Sequence, residues 1–144
     1  LKGLQYCDIL KISDNEIRWL TGLSDYTEGV EWIFERYRMQ LITVSLGKCG
    51  SMAFYRRDPD SAGYCKAEAD PFLRNDTIET TGAGDTFGAC ILHFILQNGL
   101  QNIDESSLKD MLIFANAAAS IITTRRGALR VMPKESEIRE LIRG

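Results

Sequence analysis

Residues 80–88 read Thr80-Thr81-Gly82-Ala83-Gly84-Asp85-Thr86-Phe87-Gly88. A β-like run at residues 76–79 precedes this stretch, and an apolar helical segment follows over residues 85–98. Two glycines in the turn let the backbone approach a ligand closely and adopt unusual dihedral angles. The first N–H groups of a helix have no partners within it, and the helix dipole adds partial positive charge there. We therefore predict an anion site at this turn, suited above all to phosphate.

Asp85 at the start of this helix has two interpretations. It can be an N-terminal cap, which stabilises a helix by about 1 kcal/mol. It can equally be a base directed at a hydroxyl group beside a phosphoryl group in transfer, while backbone N–H groups hold the charge of the moving phosphate. Local physics leaves both interpretations open.

Two other phosphate-binding patterns fit the sequence less well. The P-loop pattern needs Ser or Thr directly after its lysine. At residues 47–51 Cys49 follows Lys48, and the first glycine is misplaced. The dinucleotide pattern G-x-G-x-x-G needs a third glycine where Phe87 stands. We therefore rank a P-loop enzyme and a dinucleotide-dependent oxidoreductase well below phosphoryl transfer.

Short β-like runs alternate with helical segments along the whole chain. The predicted strands are residues 7–12, 41–44, 51–56, 64–69 and 76–79. The predicted helices are residues 14–21, 26–39, 85–98, 105–123 and 133–142. Residues 85–98 are apolar nearly all round, so we expect that helix to be buried. The alternation predicts an α/β layered domain with a mainly parallel sheet. Within it, we expect residues 64–69 to pair back on residues 51–56 as an antiparallel hairpin, because residues 58–63 form a loop with strong turn chemistry.

Composition excludes several classes of function. The chain has 144 residues, 44% of them hydrophobic and 26% charged, which is typical of one soluble globular domain. A net charge of −3 excludes a basic surface for nucleic acid along the whole sequence. No apolar run is long enough to span a bilayer, so we expect no membrane partner. The four cysteines are far apart, which indicates free thiols in a reducing cytoplasm.

These segments resemble a known enzyme family. Residues 80–87 closely resemble the second signature of the ribokinase-like, or PfkB-type, carbohydrate kinases. Further segments are similar to the family in the same order along the chain: residues 8–22, 44–51, 116–119 and 124–128. The resemblance implies a ribokinase-like layered sandwich. It also implies an ATP-dependent kinase that phosphorylates a sugar hydroxymethyl group.

The resemblance assigns roles to single residues around the nucleotide. Asp85 becomes the catalytic base, and the anion hole for the transferring phosphate is formed by Gly82, Ala83 and Gly84. Positions near the nucleotide are matched by Ser45, Gly47 and Gly50, and a position beside the adenine by Asn116. Without the resemblance, Asn116 on an alanine-rich helix could simply form hydrogen bonds within the core.

The resemblance also implies metal ions. Glu16 matches the glutamate of the family's N-x-x-E motif, which acts through magnesium and its waters, although Ser13 replaces the asparagine. Many members bind a monovalent cation, potassium, and the matching positions are Glu79, Thr81, Ile122, Arg125 and Gly127. Glu79 replaces a commoner aspartate there. On local grounds alone, Glu16 could simply interact favourably with the positive end of a helix, and Arg125 could neutralise the negative charge at a helix C-terminus.

Complete members of this family are considerably longer than 144 residues. Their N-terminal half carries a first glycine-rich signature, a lid and most contacts to the sugar, and nothing in this sequence resembles these parts. We therefore interpret residues 1–144 as the C-terminal, nucleotide-binding half of a sugar kinase, with the N-terminal half and lid absent. A second hypothesis is a nucleotide-binding module without catalytic activity.

The identity of the sugar and the assembly are expectations from the same resemblance. Residues 8–22 look most like bacterial fructokinases, so fructose is the expected substrate. Ribose, adenosine and ketodeoxygluconate are the alternatives. We expect the intact protein to be a homodimer.

Overall fold

The computed structural model describes residues 2–144 as a four-stranded sheet with helices on both faces. The strands are β1 (Ile9–Ser13), β2 (Leu41–Ser45), β3 (Ser51–Tyr55) and β4 (Cys65–Ala69). The helices are α1 (Asp14–Thr21), α2 (Tyr26–Arg36), α3 (Ala83–Asn98), α4 (Glu105–Ile122) and α5 (Glu135–Arg143). Short 3-10 turns occupy Lys2–Tyr6, Gly47–Cys49, Leu100–Asn102 and Leu129–Val131. No helix within residues 2–144 is long and apolar enough to cross a bilayer.

The sheet is mixed, with strand order β1-β2-β3-β4. β1 pairs with β2 in parallel, whereas the β2–β3 and β3–β4 pairs are antiparallel. The predicted antiparallel hairpin of residues 51–56 and 64–69 is thus confirmed as β3 and β4, whereas the prediction of a mainly parallel sheet is wrong in this detail. The reason is connection length, because a parallel pair needs a crossover of a dozen or more residues. Only the β1–β2 connection, which contains α1 and α2, is long and helical.

Strand alternation divides the core into two layers. One face of the sheet packs under α1 and α2 through buried side chains that include Ile42, Val44 and Phe54. The other face packs under α3 and α4 and includes Leu41, Ala53 and Tyr55. Because successive side chains of a strand point to opposite faces, the second face also receives Lys11, Thr43 and Ser45. This second face leads to the glycine-rich turn.

Residues 76–79 do not form the predicted strand. The N–H groups of Ile78 and Glu79 both donate to the carbonyl oxygen of Thr123, at 2.8 and 3.1 Å. The backbone of this segment is thus bound to the end of α4 instead of to a neighbouring strand. That attachment fixes the position from which the chain enters α3.

α3 is only partly buried, so the prediction of a buried helix is wrong. Thr86, Phe87 and Ile91 are buried, whereas Leu92 and Leu96 are 53% and 86% exposed. α3 packs along one side against α4 and the sheet, and within residues 2–144 no element covers its opposite side. The last helix also differs slightly, because it begins at Glu135 and leaves Pro133 before its N-cap.

Candidate active site

A cavity of about 300 Å³ lies between the turn after β2, the start of α3 and the middle of α4. It brings together most of the residues predicted near a nucleotide, namely Ser45, Gly47, Gly50, Ala83, Gly84 and Asn116. A larger cavity, of about 500 Å³, lies beside Arg56 and contains none of the predicted site residues. Arg56 there donates to the carbonyl oxygens of Tyr37, Met39 and Ser61, so its polar groups already have partners. The smaller cavity is therefore the candidate site.

Gly50 shapes one wall of this cavity. The turn between β2 and β3 is closed by a hydrogen bond from Leu46 N–H to the Gly50 carbonyl oxygen, at 2.9 Å. Gly50 has φ of 90°, and a methyl group on it would lie 2.2 Å from the carbonyl oxygen of Ala69. Only glycine fits there, because the left-handed region and the close backbone both exclude a side chain.

Asn116 joins α4 to the end of β4. Its side-chain amide donates to the carbonyl oxygens of Ala69 and Asp70, at 3.2 and 3.0 Å. The sequence analysis gave such hydrogen bonds within the core as the alternative role of Asn116. They fix the side chain at the cavity wall, and its Oδ1 forms no hydrogen bond within residues 2–144.

Ser120 is a cavity residue that the sequence analysis missed. It lies one helical turn after Asn116, so both line the same side of α4 together with Ala119 and Thr123. The Ser120 hydroxyl is buried and has no hydrogen-bond partner within the described residues. A buried polar group without a partner is costly. A polar ligand in the cavity fits this unpartnered group, and the i, i+4 spacing from Asn116 was the available signal.

The start of α3 leaves backbone N–H groups open. Gly82 occupies the N-cap position with φ of 80°, and no side chain caps the helix. Ala83 N–H donates to the Thr80 carbonyl oxygen at 3.2 Å, and Thr86 N–H donates to that of Gly82 at 2.8 Å. The N–H groups of Gly84 and Asp85 therefore have no partner within residues 2–144. Of the predicted anion hole, Gly84 offers an open donor, whereas Ala83 N–H is already bonded.

Asp85 is the third residue of α3, and its side chain is exposed. It forms no ion pair within residues 2–144. Because Gly82 holds the N-cap position and no side-chain cap exists, the interpretation of Asp85 as a cap is wrong. Its carboxylate is available to a molecule outside the helix.

Glu16 takes part in the N-terminal cap of α1. Its Oε2 accepts a hydrogen bond from Ser13 N–H at 2.7 Å, and Ser13 Oγ accepts one from Glu16 N–H at 3.4 Å. These bonds from Ser13 lower the pKa of Glu16 below its ordinary value, and the charge of Lys11 lowers it further. Within residues 2–144 no cluster of three or more metal-binding side chains surrounds Glu16. A magnesium ion there would take most ligands from phosphates and water, as magnesium usually does.

The positions matched to a potassium site lie around the base of the α3 turn. Glu79 Oε1 accepts a hydrogen bond from Gly127 N–H at 2.7 Å, which joins two of them directly. A methyl group on Gly82 would lie 3.3 Å from the Ile122 side chain, so Ile122 lies beneath the turn. Thr81 precedes that glycine and is exposed.

The Arg125 side chain is directed away from the turn. Its guanidinium group donates to the Val131 carbonyl oxygen at 2.9 Å and pairs with Glu137 of α5. It therefore joins the end of α4 to the last helix, and this differs from the predicted alternative of neutralising a helix C-terminus. Only its backbone is left for the potassium position.

Comparison with known proteins decides the family. The profile described as pfkB family carbohydrate kinase matches residues 1–135. The chain belongs to this family. The resemblance stated in the sequence analysis is thereby confirmed. It was based on short sequence segments, above all residues 80–87, and not on composition.

Relatives in the pfkB family agree with the match. The chain is 35% identical to Fructokinase-1 of Zea mays over 135 residues, which is 94% of this chain and 39% of that protein. It is 32% identical to Probable fructokinase-4 of Arabidopsis thaliana over 137 residues, which is 95% of this chain and 40% of that protein. The chain thus spans about two fifths of the length of these relatives.

Solved structures share the fold. The crystal structure of fructokinase with bound ATP from Xylella fastidiosa matches with a TM-score of 0.82 and 27% identity, covering 99% of this chain and 44% of that one. Arabidopsis thaliana ribokinase complexed with ribose and ATP matches with a TM-score of 0.78 and 25% identity, covering 98% and 42%. The predicted ribokinase-like α/β class, present here in part, is confirmed.

We predict that Gly50→Ala lowers the free energy of unfolding by more than about 3 kcal/mol, because it combines a left-handed φ with a backbone clash. Gly47→Ala is the matched control. Gly47 has φ of 57°, and a methyl group on it would have no atom within 4 Å. It should therefore lose only about 1–2 kcal/mol, for the left-handed φ alone. Urea denaturation measures both, and equal losses would contradict the assigned role of the Ala69 carbonyl.

The Ser13–Glu16 bonds generate a pH prediction. Since the pKa of Glu16 is lowered on folding, its ionised form stabilises the fold above the ordinary pKa of 4.5, and this stabilisation is lost as pH falls through the lower folded value. Glu16→Gln should therefore lower the thermal midpoint at pH 7, and the difference from wild type should shrink in acid below pH 4.5.

The control for this pH prediction is Glu28→Gln. Glu28 holds the equivalent third position of α2, where Asp25 caps the helix without a reciprocal bond from the glutamate. Thermal unfolding between pH 3 and 7 should give a smaller pH-dependent difference for this variant. The same pH dependence for both variants would refute the specific role of the Ser13 bonds.

Proposed function

We propose that this chain supplies the nucleotide-binding and phosphoryl-transfer part of an ATP-dependent sugar kinase. One observation supports this most strongly: an exposed, unpaired Asp85 directly follows Gly84 at a helix start with two open N–H groups. Such an arrangement offers a base and an anion site side by side. Membership of the pfkB family and the fructokinase names of its relatives support the same reaction.

The reaction follows from these groups. The sugar hydroxyl oxygen attacks the γ-phosphorus of ATP, and the bond from that phosphorus to the bridging oxygen of ADP breaks. The hydroxyl proton passes to the Asp85 carboxylate, so that Asp85 is the catalytic base. The open N–H groups of Gly84 and Asp85 stabilise the negative charge of the moving phosphoryl group. Gly82 contributes by leaving the helix start without a side-chain cap.

The cavity beside this helix start is the proposed nucleotide site. We propose that the base of the nucleotide lies between the Gly47–Gly50 turn and α4, where Asn116 Oδ1 and the Ser120 hydroxyl offer polar contacts. Ser45 and Gly47 line the path from there to the phosphates. Magnesium, when bound with ATP, neutralises phosphate charge, and Glu16 would hold it through water. Potassium would bind at the turn base through Thr81, Ile122, Arg125 and Gly127, with Glu79 fixing Gly127.

Fructose is the proposed sugar, because the two relatives at 32–35% identity carry fructokinase names. The contacts that select a sugar are not among the site residues described above. Ribose, adenosine and ketodeoxygluconate are therefore the alternatives to assay. Homodimer assembly and a cytoplasmic location stay predictions from the resemblance.

The second candidate function is nucleotide binding without catalysis. One observation favours it: the side of α3 that carries Leu92 and Leu96 is exposed, so no described element lies opposite Asp85. ATP binding without sugar-dependent release of ADP would support this candidate.

We predict that Asp85→Asn lowers kcat for sugar phosphorylation by about 10³-fold in the complete protein, because the hydroxyl loses its base. The dissociation constant for ATP should change less than twofold. The rate of ADP release with each of the four candidate substrates measures kcat. Calorimetric titration with ATP measures the dissociation constant. Fructose should give the highest rate.

The control is Asp110→Asn, an exposed aspartate on α4 far along the chain from the turn. This variant should keep wild-type turnover. Near-normal turnover by Asp85→Asn would refute the role of Asp85 as the base.

A further inference from the structure

The floor of the candidate site carries two buried polar side chains. We define this floor as the buried residues among those that line the cavity, namely Gly50, Phe87, Asn116 and Ser120. Asn116 and Ser120 are its polar members, and they are 8% and 9% exposed. They lie four residues apart on α4, so both face the same side of that helix. The floor therefore offers one amide group and one hydroxyl group, and no charged group.

The charged residues near the cavity lie away from its floor. Lys48 is exposed, and Arg74 holds Asp76 through two hydrogen bonds of 2.9 and 2.8 Å. Lys11 Nζ lies at the first turn of α3, 3.2 Å from the place of a methyl group built on Gly84. A phosphate group would lose its hydration at the floor without meeting a cation there. A neutral ring with a polar edge suits the floor better.

Asn116 presents a hydrogen-bond acceptor at the floor. An asparagine amide has two N–H donors and one carbonyl acceptor. Both donors are used, because the side-chain nitrogen donates to the carbonyl oxygens of Ala69 and Asp70 at 3.2 and 3.0 Å. The opposite orientation of the amide would place Oδ1 against two carbonyl oxygens. The atom left for a ligand is therefore Oδ1, and it can bind only a donor.

Ser120 presents a hydroxyl group that can donate. This hydroxyl has no hydrogen-bond partner within residues 2–144, and such a buried group costs free energy. Thr123 does not supply the partner, because its own hydroxyl donates to the Ser120 carbonyl oxygen at 2.7 Å. A ligand atom that accepts a hydrogen bond would remove the cost. The floor thus favours a ligand that carries a donor next to an acceptor.

We propose that the floor selects a 6-aminopurine, so that the chain distinguishes ATP from the triphosphates of 6-oxopurines. This inference rests on the proposed function, and adds to it the choice of base and the role of Ser120 in that choice. Adenine presents an amino donor beside a ring-nitrogen acceptor. The amino group donates to Asn116 Oδ1, and the Ser120 hydroxyl donates to the neighbouring ring nitrogen. A 6-oxopurine has a carbonyl oxygen in place of the amino group, so that two acceptors would face each other at Asn116.

The test compares ATP, ITP and inorganic tripolyphosphate as ligands of the full chain by calorimetry. ITP carries an oxygen at position 6 of the purine, so ATP should bind at least about tenfold more tightly than ITP. Ser120→Ala should weaken ATP binding about fivefold and leave tripolyphosphate binding unchanged.

Thr43→Val is the matched control. It also removes a buried hydroxyl that has no partner within residues 2–144, but Thr43 does not line the cavity. This variant should bind ATP like wild type. Thermal melts without ligand should give both variants a midpoint equal to or above that of wild type, because each loses an unpartnered polar group.

Three results would overturn the inference. They are equal affinity of wild type for ATP and ITP, unchanged ATP affinity in Ser120→Ala, and a loss of ATP affinity in Thr43→Val as large as that in Ser120→Ala. A lower melting midpoint of Ser120→Ala with an equal loss of tripolyphosphate binding would also overturn it, by showing a structural role. If wild type binds neither ATP nor tripolyphosphate, the proposed nucleotide site itself fails, whereas equal binding of ATP and ITP removes only the selection of the base.

Discussion

The open backbone N–H groups at the start of α3 are the feature on which the site depends. They are open because Gly82 takes a left-handed conformation at the N-cap and brings no side chain to cap the helix. A serine or aspartate at that position would satisfy one N–H group and occupy the space of an anion. The helix thus forgoes roughly a few tenths of a kcal/mol of capping stability, which is the usual cost of glycine at this position, and keeps its positive end available.

Other parts of the fold hold this helix start in position. Ile78 and Glu79 N–H bind the last turn of α4, and Glu79 also binds Gly127 N–H from the chain beyond α4. The opposite wall is built by the Gly47–Gly50 turn, which approaches β4 so closely that Gly50 cannot carry a side chain. Asn116 then joins β4 to α4. These contacts therefore hold the walls of the cavity in fixed positions relative to the start of α3.

Local sequence patterns pointed to residues that meet at one cavity, whereas the direction of the strands depended on the connections between them. Residues 80–88 indicated an anion site because glycine spacing and helix onset are local properties. The family resemblance supplied Ser45, Gly47 and Asn116, which the structure brings to one cavity. The antiparallel pairing of β3 with β4 was predicted from the loop between them and is confirmed. The antiparallel pairing of β2 with β3 was missed, although the tight connection at residues 46–50 is too short for a parallel crossover. The apolar composition of residues 85–98 predicted a helix buried on all sides. It could not show that within residues 2–144 no element packs against one side of α3.

Ser120 and Lys11 were missed for different reasons. Ser120 had a local signal in its spacing from Asn116, but its hydroxyl stands out only because it is buried at the cavity without a partner. Lys11 stands out only through the contact of β1 with the first turn of α3. Alternation along β1 does contain a signal, since a lysine between Ile9 and Ser13 falls on the face that enters the core. A charged residue on a buried face needs a partner, and that partner was not visible in the sequence.

Amide chemical shifts measured by NMR during ATP titration test the site most directly. On a ¹⁵N-labelled chain, ATP should shift the amide signals of Gly84 and Asp85 strongly, since their N–H groups would bind phosphate, whereas adenosine should leave these two signals nearly unchanged. Signals beside the 500 Å³ cavity, such as that of Ser61, should not move. Saturable ATP binding that leaves Gly84 and Asp85 unshifted would show that the start of α3 is not the phosphate site.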